Sequence, residues 1–377
     1  MDLPVMPPIK PMLAKPVADL PHGEVSYEPK WDGFRCIVFR DRDEVVLGSR
    51  NEKPLNRYFP EMIEPLKASL PERCVVDGEM FISIDGKLDF DALGQRIHPA
   101  ESRVNMLAEQ TPADFVAFDL LALDDESFVD RPFADRRNAL ESIAALFEPP
   151  VHLAPATSDP ELAMHWFDEF EGAGLDGLIV KPLGDRYVFD KRVQFKLKHV
   201  RSADCVVAGY RMHKSGDGVG SLILGLYSPE GQLWHVGVAA SFSAKKRKEL
   251  LEEVRPLELA DLSAHPWASW MDAEANADGS MPGAPNRWSG AGGRDHSWIP
   301  LDPRRVVEVQ YTWTTAGRFR GTTRLLRWRP DREPESCSTD QLKDPSPLPD
   351  DSELHSIVSH ARGRLPDVAE PVIADEE

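Results

Sequence analysis

Short apolar runs separated by charged or glycine-containing turns fill the first half of the chain, and they predict strands more often than helices. FRCIVFR and EVVLGSR read as two strands joined by a short charged turn. NRYFPEMIEPLKASL reads as a helix with Pro60 near its first turn, where a missing N–H costs nothing. CVVDGEMFISI and KLDF follow, split by Asp85-Gly86, a two-residue hairpin signal. DFVAFDLLAL is apolar throughout and reads as a buried strand. Two amphipathic helices come next: ADRRNALESIAALF with Asp135 as N-cap, and DPELAMHWFDEFEGAG ending at Gly172 and Gly174. DGLIVKP and VQFKLK return to strand.

Beyond about Arg201 the pattern changes to short strands with glycine turns, DCVVAGYRM, GSLILGLYS and QLWHVGVAAS, then one basic helix, SAKKRKELLEEV. This texture predicts a small β-barrel with an inserted helix. From about Ala264 to Pro300 there is Gly, Pro, Asn and four Trp without a period, which reads as a long loop packing through its aromatics. VVEVQYTWT is again strand, and the proline-rich, acidic residues after Lys343 read as a disordered tail. At 377 residues the chain divides most simply into two domains and a tail, 1–200, 201–343 and 344–377.

The net charge of −19 argues against a polyanionic partner until its distribution is considered. Between Arg304 and Arg332 eight Arg face only Glu308 and Asp331, a local balance of +6, whereas Asp340 to Glu377 carries −7. Nucleic acid responds to the local field, so a basic face on an acidic protein is compatible with it. Cys36, Cys74, Cys205 and Cys337 form no CxxC pair and three lie in apolar runs, so reduced, buried thiols in a cytoplasmic protein are expected. The proline-broken N-terminus reads as neither signal peptide nor membrane anchor. No sign of oligomerisation is present, and a monomer is expected.

EPKWDGFR, Glu28 to Arg35, sets a lysine beside an aromatic ring, an aspartate and a glycine just before a strand. Nucleotidyl transfer requires a nucleophile, cations for the phosphates and carboxylates for a metal. Separate strand ends supply them: Glu79 in VVDGEMF, Asp176 and Lys181 in GLDGLIVKP, and Lys196 and Lys198 at alternate positions of VQFKLKHVR. HKSGDGVGS imitates a phosphate loop, but a strand follows it, so it reads as a hairpin loop. The eleven histidines show no metal-like spacing.

In order and spacing these segments resemble the motifs of the ATP-dependent DNA ligases, within the covalent nucleotidyltransferase superfamily that also holds RNA ligases and mRNA capping enzymes. KWDGFR resembles the K-x-D-G-x-R motif, and SRNEKPL, DGEMF, AFDLLAL, DGLIVKP and KLK resemble those that follow. RWRPDREP, Arg327 to Pro334, is similar to the R-x-R-x-D-K element closing the adjoining OB domain. The likeness covers roughly Pro8 to Cys337 and is strongest to the short actinobacterial type called ligase C. It implies an α+β fold: an ATP-grasp-like nucleotidyltransferase domain of antiparallel sheets and helices, then an OB-fold β-barrel.

Residue by residue, the resemblance implies that Lys30 becomes N-linked to AMP. A lysine with the ordinary pKa of about 10.4 is protonated at neutral pH, and positive neighbours at Lys196, Lys198 and a metal are expected to favour its neutral form. Glu28 resembles the residue lining the adenine pocket, Phe118 the ring stacked on the base, and Arg35 and Glu79 the ribose contacts. Arg50 corresponds to a nucleotide or 5′-phosphate contact, Lys181 to a nucleotide contact, and Lys196 and Lys198 to α-phosphate contacts. Glu79 and Asp176 are expected to position Mg²⁺ or Mn²⁺. Arg327, Arg329 and Arg332 are expected to meet the β- and γ-phosphates. Three positions depart from the pattern: Asp176 stands for Glu, Gln194 for an aromatic and Arg332 for Lys.

With no counterpart of the separate N-terminal DNA-binding domain of larger ligases, grip on DNA is expected from Arg304–Arg332 and from Lys245, Lys246, Arg247 and Lys248. The expected partners are nicked duplex DNA and DNA repair proteins, in the cytoplasm at the nucleoid. An RNA ligase or guanylyltransferase of the same superfamily, and a non-catalytic nick-binding scaffold, are the alternatives.

Overall fold

The computed structural model describes residues 1–261, 263, 265–268, 298–315 and 317–342. The acidic tail and most of the aromatic loop expected between Ala264 and Pro300 lie outside these residues. The chain separates into two units, Met1–Lys198 and His199–Asp344.

The first unit contains β1 (Leu13–Val17), β2 (Val25–Pro29), β3 (Phe34–Asp41), β4 (Glu44–Ser49), β5 (Arg73–Phe81), β6 (Ser83–Ile84), β7 (Lys87–Leu88), β8 (Asp114–Leu123), β9 (Glu126–Ser127), β10 (Val151–Leu153), β11 (Leu178–Pro182) and β12 (Arg192–Leu197). One sheet has the order β1-β12-β11-β2 and another β10-β8-β5-β3-β4, with β9 pairing β8. All pairings in them are antiparallel except β1 with β12 and β10 with β8. Side chains of β3 alternate between two cores, as a strand covered on both faces must. Cys36 and Val38 pack with Met62, Leu66 and Leu140, whereas Ile37 and Phe39 pack with Met12, Val75 and Tyr187.

Five helices serve this unit: α1 (Ile63–Ser69), α2 (Phe90–Gln95), α3 (Glu101–Gln110), α4 (Phe133–Ile143) and α5 (Pro160–Glu169). Three expectations need correction. The run expected as one helix from Asn56 breaks into two 3₁₀ turns before α1, because Phe59 at their junction leaves helical dihedrals (φ −135°, ψ 55°). Helix α4 starts two residues before Asp135, with Pro132 at its N-cap and Asp135 inside the first turn. Helices α2 and α3 are additional: both are short and only weakly periodic in sequence. The Asp85-Gly86 turn forms with φ of 51° and 73°, the left-handed pair that a two-residue hairpin requires. α5 takes its N-cap from Asp159, and the 3₁₀ turn after it closes on Gly174 at φ 84°.

The second unit contains β13 (Arg201–Met212), β14 (Val219–Tyr227), β15 (Leu233–Ala240), helix α6 (Ala244–Val254), β16 (Ile299–Pro300), β17 (Val306–Tyr311), β18 (Thr314–Thr315), β19 (Arg318–Phe319) and β20 (Arg324–Trp328). Its main sheet runs β15-β14-β13-β17-β20, with β16 beside β13. The expected barrel does not close as a continuous ladder. A single bridge, Ala239 to Thr323, links strand β15 to the residue preceding β20. The first six residues of HKSGDGVGS, His213 to Gly218, are the hairpin connection between β13 and β14, and Ser243 caps α6 by accepting from the Lys246 amide. Trp267 and Trp298 are buried with their rings 5.9 Å apart. All four cysteines are buried and unpaired.

A buried ion pair fastens α4 to β8. Arg136 Nε donates to Asp119 Oδ1 (2.7 Å) and Nη2 to Oδ2 (3.0 Å), while Nη1 reaches the carbonyls of Arg131 and Asp185. Neither side chain is more than 1% exposed. Removing one partner from such a pair strands the other charge without solvent, at about 3–5 kcal/mol. Asp119→Ala is therefore expected to destabilise the first unit by roughly that amount, read as a lowered urea midpoint with an unchanged slope.

Candidate functional site

The pairing of β2 with β11 places the opening lysine. Glu28 lies opposite Ile179 and Pro29 opposite Leu178, and beyond the strand ends the ladder continues through two backbone bonds. Lys30 N–H donates to Gly177 O (2.8 Å) and Asp176 N–H to Lys30 O (2.9 Å), so Lys30 and Asp176 are forced side by side. Ile179 also faces Lys196 on β12. Period-two alternation then sends Glu28 and Lys30, Ile179 and Lys181, and Arg192, Gln194 and Lys196 to one face. With Arg35, Glu79 and Phe118 from the other sheet and Arg50 just past the end of β4, they line a cavity of about 220 Å³.

Two glycines of the motifs are required by close approach. A Cβ on Gly33 would sit 2.2 Å from Met80 O and 2.9 Å from Glu79 Cγ. Gly177 has φ +128°, and a Cβ there would meet Leu197 O at 2.1 Å, so the chain carrying Asp176 can lie against β12 only without a side chain.

Inside the cavity, Glu28 and Lys181 form an ion pair of 2.7 Å with each side chain at most 3% exposed. Burial pushes the Glu28 carboxyl up and the Lys181 ammonium down, and their mutual attraction opposes both shifts. Lys181 also donates to Phe118 O (2.8 Å) and lies over the rings of Phe118 and Phe133. Glu28 Oε1 is buried without a hydrogen-bond donor. Arg35 stands opposite Glu79 across β3 and β5, lies 4.5 Å from the Phe118 ring centroid, and is clamped by Asp77 through two bonds of 2.6 Å. Tyr187 donates to the same Asp77 (2.5 Å), which completes the clamp.

The electrostatics at Lys30 reverse the expectation. Burial works to lower its pKa, but Asp176 at 2.8 Å, with Asp32 and Glu79 behind it, outweighs burial and holds the ammonium above its ordinary value. Lys198 does not crowd Lys30 as a free cation, because it is itself ion-paired to Asp176. Asp176 is thereby shared between two lysines, and their charges hold its carboxyl low against the upward push of burial. Lys196, like Lys181, is depressed by its surroundings, through burial and then the charges of Lys198, Lys30 and Arg192. Burial pushes Glu79 up to about 7, with Arg35 and Lys30 opposing.

Of the expected residues, Glu28, Lys30, Arg35, Arg50, Glu79, Phe118, Lys181 and Lys196 share the cavity. Asp176 adjoins it through its ion pair with Lys30, and Lys198 through its own pair with Asp176. Arg327, Arg329 and Arg332 belong to the second unit, where they are engaged with carboxylates: Arg327 with Glu308 (2.7 Å), Arg329 with Asp204 (2.9 Å) and Asp331 (2.8 Å), Arg332 with Asp204 (3.4 Å). Trp31, Arg192, Asp77 and Tyr187 were not anticipated. Arg192 and Asp77 were within reach of the same alternation rule, two residues before Gln194 and Glu79 respectively; Tyr187 carries no local signal.

Among the described residues no three His, Cys, Asp or Glu side chains gather as a metal cage. Mg²⁺ commonly binds through one or two carboxylates with water and substrate oxygens completing the shell. Two carboxylates whose charges both act on Lys30, one of them the desolvated Glu79, fit that requirement.

Glu79 also makes stability depend on pH. Its folded pKa near 7 exceeds the ordinary 4.5, so the folded chain binds more protons across that window and loses stability as pH rises through it. Glu79→Gln is expected to remove this loss, raising Tm relative to the parent by roughly 3 °C above neutrality and by little at acid pH, when melted in EDTA.

Residues 11–198 match the ATP dependent DNA ligase domain, and residues 215–332 the ATP dependent DNA ligase C terminal region. DNA ligase C of Mycobacterium tuberculosis is 55% identical over 350 residues, 92% of this chain and 96% of that protein. DNA ligase C2 of Mycolicibacterium smegmatis is 55% identical over 349 residues, 92% and 97%. A Lig E DNA ligase structure covers 85% of this chain and 99% of its own at 19% identity with TM-score 0.52, a likeness of fold. Two domain matches spanning both units, a shared fold and majority identity along nearly the whole length make one conclusion: the chain belongs to the ATP-dependent DNA ligases and is of the ligase C type.

Proposed function

We propose that Lys30 is the nucleophile of this ATP-dependent ligase and that its substrate is a nick in duplex DNA. The observation that carries the reading is the Lys30 ammonium itself, lining the cavity 2.8 Å from Asp176, with the buried Glu28–Lys181 pair and the cations Arg35, Arg50, Arg192 and Lys196 around the same space.

In the first step Lys30 Nζ, once deprotonated, attacks the α-phosphorus of ATP; an N–P bond forms as the P–O bond to pyrophosphate breaks. A 5′-phosphate oxygen at the nick then takes the adenylyl group and frees Lys30. Finally the 3′-hydroxyl oxygen attacks that 5′-phosphorus, AMP leaves and the hydroxyl proton passes to solvent. Phe118 stacks on the base and Glu28 with Lys181 reads its edge, while Arg35 and Glu79 hold the ribose. Lys196 holds the α-phosphate, Lys198 supports it through Asp176, and Arg50 receives the 5′-phosphate.

The free chain stores its nucleophile as an ion pair, so activation means separating Lys30 from Asp176. Glu79 and Asp176 would hold Mg²⁺ or Mn²⁺. A bound divalent ion would draw carboxylate charge away from Lys30 and favour its neutral form. Arg327, Arg329 and Arg332 meet the β- and γ-phosphates by exchanging Glu308, Asp204 and Asp331 for phosphate oxygens, which guanidinium geometry suits. Repair of strand breaks is the cellular use we infer, by monomeric enzyme; no helix among the described residues is long and apolar enough to cross a membrane.

Incubation with labelled ATP and Mg²⁺ or Mn²⁺ is expected to label the protein covalently, and addition of nicked DNA to discharge the label into a sealed strand. Lys30→Ala is expected to lose label and sealing by at least about 100-fold. Uptake of GTP in place of ATP, or a label on another residue, would sink the reading. Parallel nicks ending in a deoxy or a ribo 3′ nucleotide report which sugar the site accepts.

A further inference from the structure

The basic stretch from Arg304 to Arg332 is far less basic in structure than in sequence. Arg304 is bound to Asp302, Arg327 to Glu308, and Arg329 and Arg332 to Asp204. Lys245 and Lys246 of α6 are likewise engaged by Glu249, and Lys246 also by Glu253. While these pairs hold, such charges contribute little to the field at an external phosphodiester.

Arg318 is different. It stands on β19, which pairs with β18 in the register Thr315 to Arg318. Its neighbour Phe319 is buried, 4.8 Å from the Tyr311 ring, and seats over Gly237 of β15, where a Cβ would come within 3.0 Å of the phenyl ring. That seating delivers Arg318 to His235, two residues before Gly237 on the same strand. Arg318 Nη2 donates to His235 Nδ1, and the imidazole is 6% exposed, edge-on to Trp267. Burial and the positive charges of Arg318 and Arg211 push the imidazole down to about 3, so it is a neutral acceptor at any working pH. A carboxylate brace would cancel the guanidinium charge; a neutral imidazole fixes the same guanidinium and leaves its charge whole. Arg318 is itself an exposed residue, although packing partly desolvates its guanidinium.

We propose that Arg318, held by His235, is a contact for a phosphodiester of the DNA backbone on the second unit. The inference rests on the reading that the chain binds nicked duplex DNA, and it assigns His235 as a positioning residue.

The test measures binding of the full chain to a nicked duplex in EDTA, by fluorescence anisotropy across a series of KCl concentrations. Each phosphate contact contributes about 0.9 to the slope of log affinity against log salt. Arg318→Ala is expected to reduce the slope by about that amount and to weaken binding several-fold at moderate salt, with Tm preserved. His235→Leu is expected to weaken binding as well, and His235→Gln, which restores a neutral acceptor, to recover it. If the parent binds no nicked DNA, the functional reading fails with the inference. If the parent binds and Arg318→Ala keeps its affinity and slope, the inference alone falls. It falls equally if Arg318→Ala slows covalent labelling by ATP while leaving DNA binding intact, which would make the site one for nucleotide phosphates. His235→Leu binding like the parent would refute the brace.

Discussion

The site depends on one piece of strand pairing carried past its natural end. Strands β2 and β11 stop at Pro29 and Leu178, but the backbone bonds between Lys30, Asp176 and Gly177 extend their ladder. Because backbone bonds fix the register, the proximity of the lysine and the carboxylate is not left to side-chain flexibility. The absence of a side chain at Gly177 is part of the same constraint, since the β11 side of the junction must pass against Leu197. The lysine, the carboxylate and the second lysine at Lys198 follow from that geometry as one electrostatic unit.

This arrangement alters how a lysine amine in a basic setting should be understood. Counting cations along the chain suggests an amine relieved of its proton by repulsion. In three dimensions the nearest charge is negative: Asp176 at hydrogen-bonding range, with Asp32 and Glu79 behind it, outweighs burial. In the free chain, then, Lys30 is held as an ammonium in an ion pair.

How much was legible in the sequence follows from the same distinction. Strand identity and the facing of Glu28, Lys181 and Lys196 rest on a period of two, which any strand obeys, and eight expected residues meet in one cavity. The bias of Lys30 was not legible, because it depends on a partner 146 positions away whose distance only the fold sets. Helices α2 and α3 were missed because each is short and buries only two residues, too few for an apolar stripe to stand out. The basic stretch misled for a related reason. Asp204, more than a hundred residues away in sequence, neutralises two of its arginines.

The four cysteines lie wholly inside the packed interior, and burial raises the pKa of every one of them. Thiol reagents attack the thiolate form, so the native chain offers them almost nothing to modify. A single cysteine placed on either unit would consequently be the sole reactive handle, allowing a spectroscopic reporter to follow the enzyme through its cycle without first stripping the natural sulfurs from its core.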